Sequence, residues 1–155
     1  MSRQEATILP FTRVEKRSRV YATRRCPNCG APSPQRSTGT RQLRDLGVGR
    51  PVVLEIHYSK HRCPRCEEYF NAPMEDLAEP GGLYTRRVRT TALAKVLVDG
   101  LPLETVQEQM LREFYVHVPP TTLDRWVVEA GEKDRPDGGL RAVGRRAFQR
   151  LPVHR

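Results

Sequence analysis

Four cysteines stand in two C-x-x-C pairs, Cys26-Pro27-Asn28-Cys29-Gly30 and Cys63-Pro64-Arg65-Cys66, with 33 residues between the pairs. Tetrahedral zinc takes four soft donors at about 2.3 Å. A C-P-x-C turn sets two thiolates on one side of such an ion while its backbone amides point at the sulfurs. Two of these turns at the ends of a hairpin complete the shell and leave no position for water, so the site they predict is structural rather than hydrolytic. A redox C-x-x-C stands as a single pair beside a βαβ pattern, and neither condition holds here. His57 and His61 lie near the second pair and could serve as ligands, but a shell of four thiolates is already closed.

Zinc of this kind supplies about 10–16 kcal/mol of apparent free energy, and the composition says why that matters. Only 37% of the 155 residues are hydrophobic, and 13 Pro with 11 Gly interrupt the periodic segments. Two small units are expected rather than one large core, the first needing its metal to stay folded. The net charge is +9, which suits a polyanionic partner. It is unevenly spread: 14 Lys+Arg against 4 Asp+Glu in residues 1–66, 8 against 13 in 67–135, and 5 against 1 in 136–155. Met1 to Phe11 carries no apolar secretory core, and no apolar run approaches a membrane span. A soluble, cytoplasmic chain with reduced thiols is therefore expected, which argues against disulfides.

Around the cysteines the pattern is that of strands. Val20, Ala22 and Arg24 suggest a short strand feeding Cys26, and Ala31 to Thr40, rich in Pro, Ser, Thr and Gly, reads as a loop. From Pro51 to Arg62 the alternation is clear, with Val52, Leu54, Ile56 and Tyr58 on one face and Val53, Glu55, His57 and Ser59 on the other. Arg41 to Leu46 is its natural antiparallel partner across Gly47-Val48-Gly49. Pro80-Gly81-Gly82 marks a boundary. Three helices follow: one capped by Thr85 with the stripe Val88, Ala92, Leu93, Val96 and Leu97; one carrying Leu103, Val106, Met110 and Phe114; and, after Val118-Pro119-Pro120, one capped by Thr121 or Thr122 with Leu123, Trp126, Val127 and Ala130 inward. The expected fold is small α+β: a hairpin-rich four-cysteine ribbon with a basic arm over residues 1–79, a three-helix helix-turn-helix over 83–131, and a basic flexible tail over 132–155.

Arg24, Arg25, Arg36, Arg41, Arg44, Arg50, Lys60, Arg62 and Arg65 crowd the ribbon, with only Asp45 and Glu55 as acids between residues 16 and 66. Facing one way, they would form a phosphate-binding surface; scattered, they would simply keep a small domain soluble. In a helix-turn-helix the last helix enters the major groove by its first residues, which makes Thr121, Thr122 and Arg125 candidate contacts. Arg86, Arg87 and Arg89 at the start of the first helix could hold phosphates or could be plain surface.

The succession C-P-N-C-G, then R-D-L-x-x-G-R-P-V-V-L, then H-R-C-P-R-C-E-E-Y-F resembles the zinc-binding segment of ISL-three type insertion-sequence transposases. Tyr84-Thr85-Arg86-Arg87 and the helical run to Ala130 are similar to that family's second module, so the resemblance spans residues 20–131. It implies one structural zinc on Cys26, Cys29, Cys63 and Cys66, and binding to double-stranded DNA at the inverted-repeat ends of a mobile element. It further implies a prokaryotic, nucleoid-associated setting, with a homodimer as one possible assembly. The family's RNase-H-like catalytic domain would follow the helix-turn-helix, whereas after Gly131 this chain holds only Glu132, Asp134 and Asp137 as acids. No catalytic residue is therefore expected in it. A free-standing DNA-binding regulator and a zinc-ribbon protein-docking module remain as alternatives.

Overall fold

The computed structural model describes residues 11–133; the outer part of the expected basic arm and the expected tail beyond Lys133 lie outside them. The chain forms a small α+β structure with a mixed sheet and three helices. The elements are β1 (Arg13–Arg19), β2 (Thr23–Arg25), β3 (Pro32–Asp45), β4 (Val52–Arg62), β5 (Tyr69–Asn71), α1 (Arg86–Leu97), α2 (Leu103–Phe114) and α3 (Pro120–Lys133). The path through the sheet is β1-β4-β3-β2, and β5 pairs with β4.

The strand with the clearest alternation is the centre of the sheet. β4 pairs with β3 antiparallel along most of its length, Gln35 opposite His61 down to Asp45 opposite Val52. Its other edge is shared by β1, parallel to Val52–Tyr58, and β5, antiparallel to Lys60–Arg62. The face predicted to be apolar is so: Leu54 and Ile56 pack with Leu43, Met74 and Ala78, and Tyr58 and Leu77 lie against them. The opposite face is not simply solvated. His57 is exposed, but Val53 and Ser59 are buried, as is His61 further along.

Residues 31–40, expected as a loop, are the first part of β3, and each misleading residue has a reason to be there. Pro32 and Pro34 open the strand and pair with the three-residue β2, where a missing N–H is tolerated. A register shift between Gln35 and Ser37 lets Arg36 bulge out of the ladder. Gly39 faces Tyr58, and a Cβ there would come within 2.8 Å of Lys60 Cε and 2.9 Å of the Tyr58 ring. The glycine makes room for an aromatic ring lying across the strand rather than marking a turn. The short strand expected to feed Cys26 is there as β2, but it starts later than the Val20 to Arg24 alternation suggests. The pairing breaks after Arg19 and resumes at Thr23 on β3, the Tyr21 amide meanwhile donating to Ser59 Oγ.

The helices pack around Val88, Ala92, Val106, Met110, Val116, Val118, Leu123 and Trp126. Leu93, Val96, Leu103 and Phe114 flank this core as their spacing predicts, whereas Leu97 is largely exposed. α2 ends on Tyr115 in the left-handed region, φ 56°, so the turn begins before the prolines. Pro120 is the first residue of α3, a position whose N–H would have no helical partner. Thr121 and Thr122 therefore sit in the first helical turn and neither caps it. Thr85 does occupy the cap position of α1 but makes no side-chain cap bond.

The Thr85 hydroxyl donates instead to Asp45 Oδ1 at 2.7 Å, and this bond belongs to the joint between sheet and helices. Asp45, at the end of β3 and 3% exposed, also accepts from Arg87 and from the Leu46 amide. Around it the backbone of Arg44 bonds to Leu83 and Thr85, and the Gly47 amide donates to Phe114. Burial pushes the Asp45 carboxyl upward, but bonds from Arg87, Thr85 and the Leu46 amide outweigh it and hold the pKa below the ordinary 3.8. A depressed carboxyl stabilises the fold fully above its unfolded value and loses that contribution as pH falls through the folded one. Asp45→Ala should cost about 2–4 kcal/mol at neutral pH, read from urea unfolding by the fluorescence of Trp126. The gap to the unmutated protein should narrow only below about pH 4; a neutral-pH loss under about 0.5 kcal/mol would contradict the joint.

Candidate metal centre

The two C-x-x-C segments fold into the same turn. The first joins β2 to β3: the Gly30 amide donates to Cys26 O at 2.9 Å and the Cys26 amide to Ala31 O at 2.9 Å. The second joins β4 to β5: the Glu67 amide donates to Cys63 O at 3.0 Å and the Cys63 amide to Glu68 O at 2.9 Å. Gly30 and Glu67 hold equivalent places and both have positive φ, 74° and 61°. Glycine accepts that conformation freely; Glu67 is held in it by the turn and by the Arg62 guanidinium at 3.0 Å.

The four sulfurs of Cys26, Cys29, Cys63 and Cys66 lie within 4.8 Å of one another. The closest approaches cross between turns, 3.5 Å from Cys26 to Cys66 and 3.4 Å from Cys29 to Cys63. Those distances are far from the roughly 2.05 Å of a disulfide. They sit near the roughly 3.8 Å edge of a sulfur tetrahedron drawn around zinc at 2.3 Å. The Asn28 amide points at Cys26 Sγ and the Cys66 amide at Cys63 Sγ. The donors thus fit one metal ion and are compatible with a single zinc.

The electrostatics agree. The Cys66 amide, aided by that of Arg65, overcomes burial and holds the Cys63 thiol at about 6. For Cys29 the Ala31 backbone acts downward, but the Cys63 sulfur, burial and the other two cysteines together push it up to about 11. One thiolate forms readily and the next resists, because the Cys29 thiol keeps its proton to hydrogen-bond the neighbouring sulfurs. A divalent cation held by the four sulfurs would favour the thiolate form of all of them.

The histidines stand apart from the sulfurs. His57 is exposed on β4. His61 is 1% exposed and uses both ring nitrogens: Nδ1 donates to the Ser33 carbonyl at 3.1 Å, leaving Nε2 to accept from Ser59 Oγ at 2.8 Å. Its ring stacks on Phe70 at 5.3 Å. This chain of Ser33, His61, Ser59 and Phe70 ties β3, β4 and β5 together behind the cysteine turns. Nothing in the spacing announces it, beyond the place of His61 two residues before Cys63. Comparison with protein families, curated proteins and solved structures finds no match for the chain.

The cationic residues divide into two sets. Arg25, Arg36 and Arg65 are exposed near the cysteine turns, Arg24 lies over the Tyr21 ring at 4.8 Å, and the Lys60 ammonium stands 5.9 Å from the Tyr58 ring. None of these five forms an ion pair among the described residues. Arg50, in the β3–β4 connection, is exposed and likewise forms no ion pair among the described residues, whereas six others are engaged internally. Arg62 pairs with Glu67 and lies over Tyr69; Arg41 donates to the Glu79 and Gly82 carbonyls; Arg44 stacks over Tyr84. Arg86 holds the Glu75 carbonyl and Glu79, Arg87 holds Asp45, and Arg89 bridges Glu79 and Glu129. On α3, Thr121 and Arg125 are exposed and Thr122 half-buried, with Arg125 at 3.8 Å from Glu129. No helix of the described residues is long and apolar enough to cross a membrane.

One equivalent of zinc should be found per chain by elemental analysis, and Cys63→Ser should abolish stoichiometric loading. His61→Ala should keep the full equivalent while lowering stability by about 2–3 kcal/mol, the range for losing buried packing and leaving the Ser33 carbonyl unpaired. Loss of metal in the histidine variant, with the fold intact, would make His61 a ligand and the four-sulfur assignment wrong.

Proposed function

We propose that this chain is the DNA-recognition region of a transposase-like protein, a zinc ribbon followed by a helix-turn-helix that binds duplex DNA at mobile-element ends and carries no catalytic site of its own. The observation that carries the reading is the set of cations without carboxylate partners at the cysteine end of the sheet: Arg24, Arg25, Arg36, Lys60 and Arg65. Uncompensated cations on a small rigid support form the electrostatic footprint of a phosphate-binding surface. Two turns closed on one metal provide that support, and a four-thiolate shell offers no open position for hydrolytic chemistry.

The helical unit supports the same reading. α3 follows α2 after a short turn, its inward side filled by Leu123 and Trp126, and it presents Thr121 and Arg125 to solvent at its start. That is the arrangement by which a recognition helix reaches base edges. Arg86, Arg87 and Arg89 act in this reading as braces rather than phosphate contacts. The inverted-repeat target and a dimer spanning two half-sites come from the resemblance to ISL-three type transposases. A protein-docking role is favoured by Glu67, Glu68 and the 72% exposed Tyr69 beside the second turn.

Zinc-loaded protein should be selected against pools of random duplex at two salt concentrations. One enriched sequence is expected, with a slope of log affinity on log salt near −4 to −5 if about five side chains each neutralise a phosphate. Binding that vanishes at moderate salt with no sequence enriched would exclude recognition and leave only a general basic surface.

A further inference from the structure

Beside the first cysteine turn runs a groove of about 400 Å³, bounded on one side by Arg24, Arg25 and Pro27 and on the other by the segment from Asn71 to Gly81, with Arg41 between them. We propose that this groove seats a short stretch of one DNA strand's backbone, its phosphates met by Arg25 and Arg41; the inference rests on the DNA-binding reading and specifies where the strand lies.

Charge complementarity favours that occupant. Three arginines line the groove against one acidic residue, Glu75. Arg24 and Arg25 are consecutive in β2 and leave opposite faces of the sheet, Arg24 lying over Tyr21, so Arg25 and Arg41 are the cations turned to the groove. The nearby Glu79 carboxylate is taken up by Arg86 and Arg89. Arg41 is the telling member, because its guanidinium is drawn inward onto two neutral carbonyls, Glu79 at 2.7 Å and Gly82 at 2.6 Å, and forms no ion pair among the described residues. Burial pulls its pKa below the ordinary arginine value, with Tyr58 acting against it. A partly buried cation held by neutral acceptors gains most from an incoming anion, since the cost of desolvating it has already been met by the fold. Arginine forks suit the paired oxygens of a phosphate.

The rest of the groove suits the sugar beside that phosphate. Ala72, Met74 and Ala78 line it with apolar residues, and Asn71 adds a polar one. The volume is at the small end of ligand pockets, about 300–1,000 Å³, so it takes a short piece of an extended strand rather than a helix.

The test uses the zinc-loaded full chain and a fluorescein-labelled random-sequence duplex, titrated at two salt concentrations. Arg25→Ala/Arg41→Ala is compared with a charge-matched control, Arg17→Ala/Arg112→Ala, which removes two exposed arginines away from the groove. Metal content and Trp126 fluorescence verify that both variants are folded. The groove variant should lose at least about tenfold in affinity and flatten the salt slope by about 2, while the control changes affinity by less than about threefold. Equal losses in both variants, or none in the groove variant, would overturn the groove and leave DNA binding standing. Unmutated protein that binds no DNA would overturn both. A poly-glutamate peptide bound as tightly as the duplex at equal salt would overturn the phosphate assignment in favour of an acidic protein partner.

Discussion

Four sulfur atoms held within 4.8 Å of one another are the constraint on which the sheet end of this protein depends. Two of the strand connections, β2 to β3 and β4 to β5, are cysteine turns. Among the described residues the apolar cluster of the sheet has five buried members, Leu43, Leu54, Ile56, Met74 and Ala78, few to fix five strands against the entropy of ordering them. A cation that joins both turns closes long loops and makes the remaining contacts local. The buried Ser33, His61 and Ser59 chain then becomes affordable, because its polar groups are satisfied within a frame already held together.

Away from the metal a second constraint takes over. Asp45 is an acid in the most basic part of the chain, yet it is buried and bonded to Thr85 and Arg87 at the start of α1. It fixes the end of β3 to the helices, and Leu46 and Tyr84 carry packing across the same place into the helical core. The two recognition surfaces of the proposed reading are therefore coupled through a joint, not merely connected by the Pro80-Gly81-Gly82 segment.

What was legible in the sequence is what depends on a single strong signal. The cysteine spacing led to the sulfur cluster, and helical periodicity led to Val88, Val106, Met110, Leu123 and Trp126. The first half of β3 was hidden because Pro32, Pro34 and Gly39 are loop formers whose roles arise only from neighbours: a short paired strand, and the Tyr58 ring. β1 was hidden because an edge strand reading Arg-Val-Glu-Lys-Arg-Ser-Arg has no apolar face to show. The sorting of the arginines was beyond reach for the same reason. Arg25 and Arg87 are alike in composition and local context, and only tertiary structure places one in solvent and the other against Asp45.

The central claim of the proposed reading is that one metal ion organises a surface proposed to meet DNA. Metal-free protein should be titrated with zinc in the presence of labelled duplex, with thiolate-to-metal absorption and DNA anisotropy followed in one sample. Both signals are predicted to rise together and to break at one equivalent of zinc. Full anisotropy before any zinc is added, with the absorption still rising, would contradict the account.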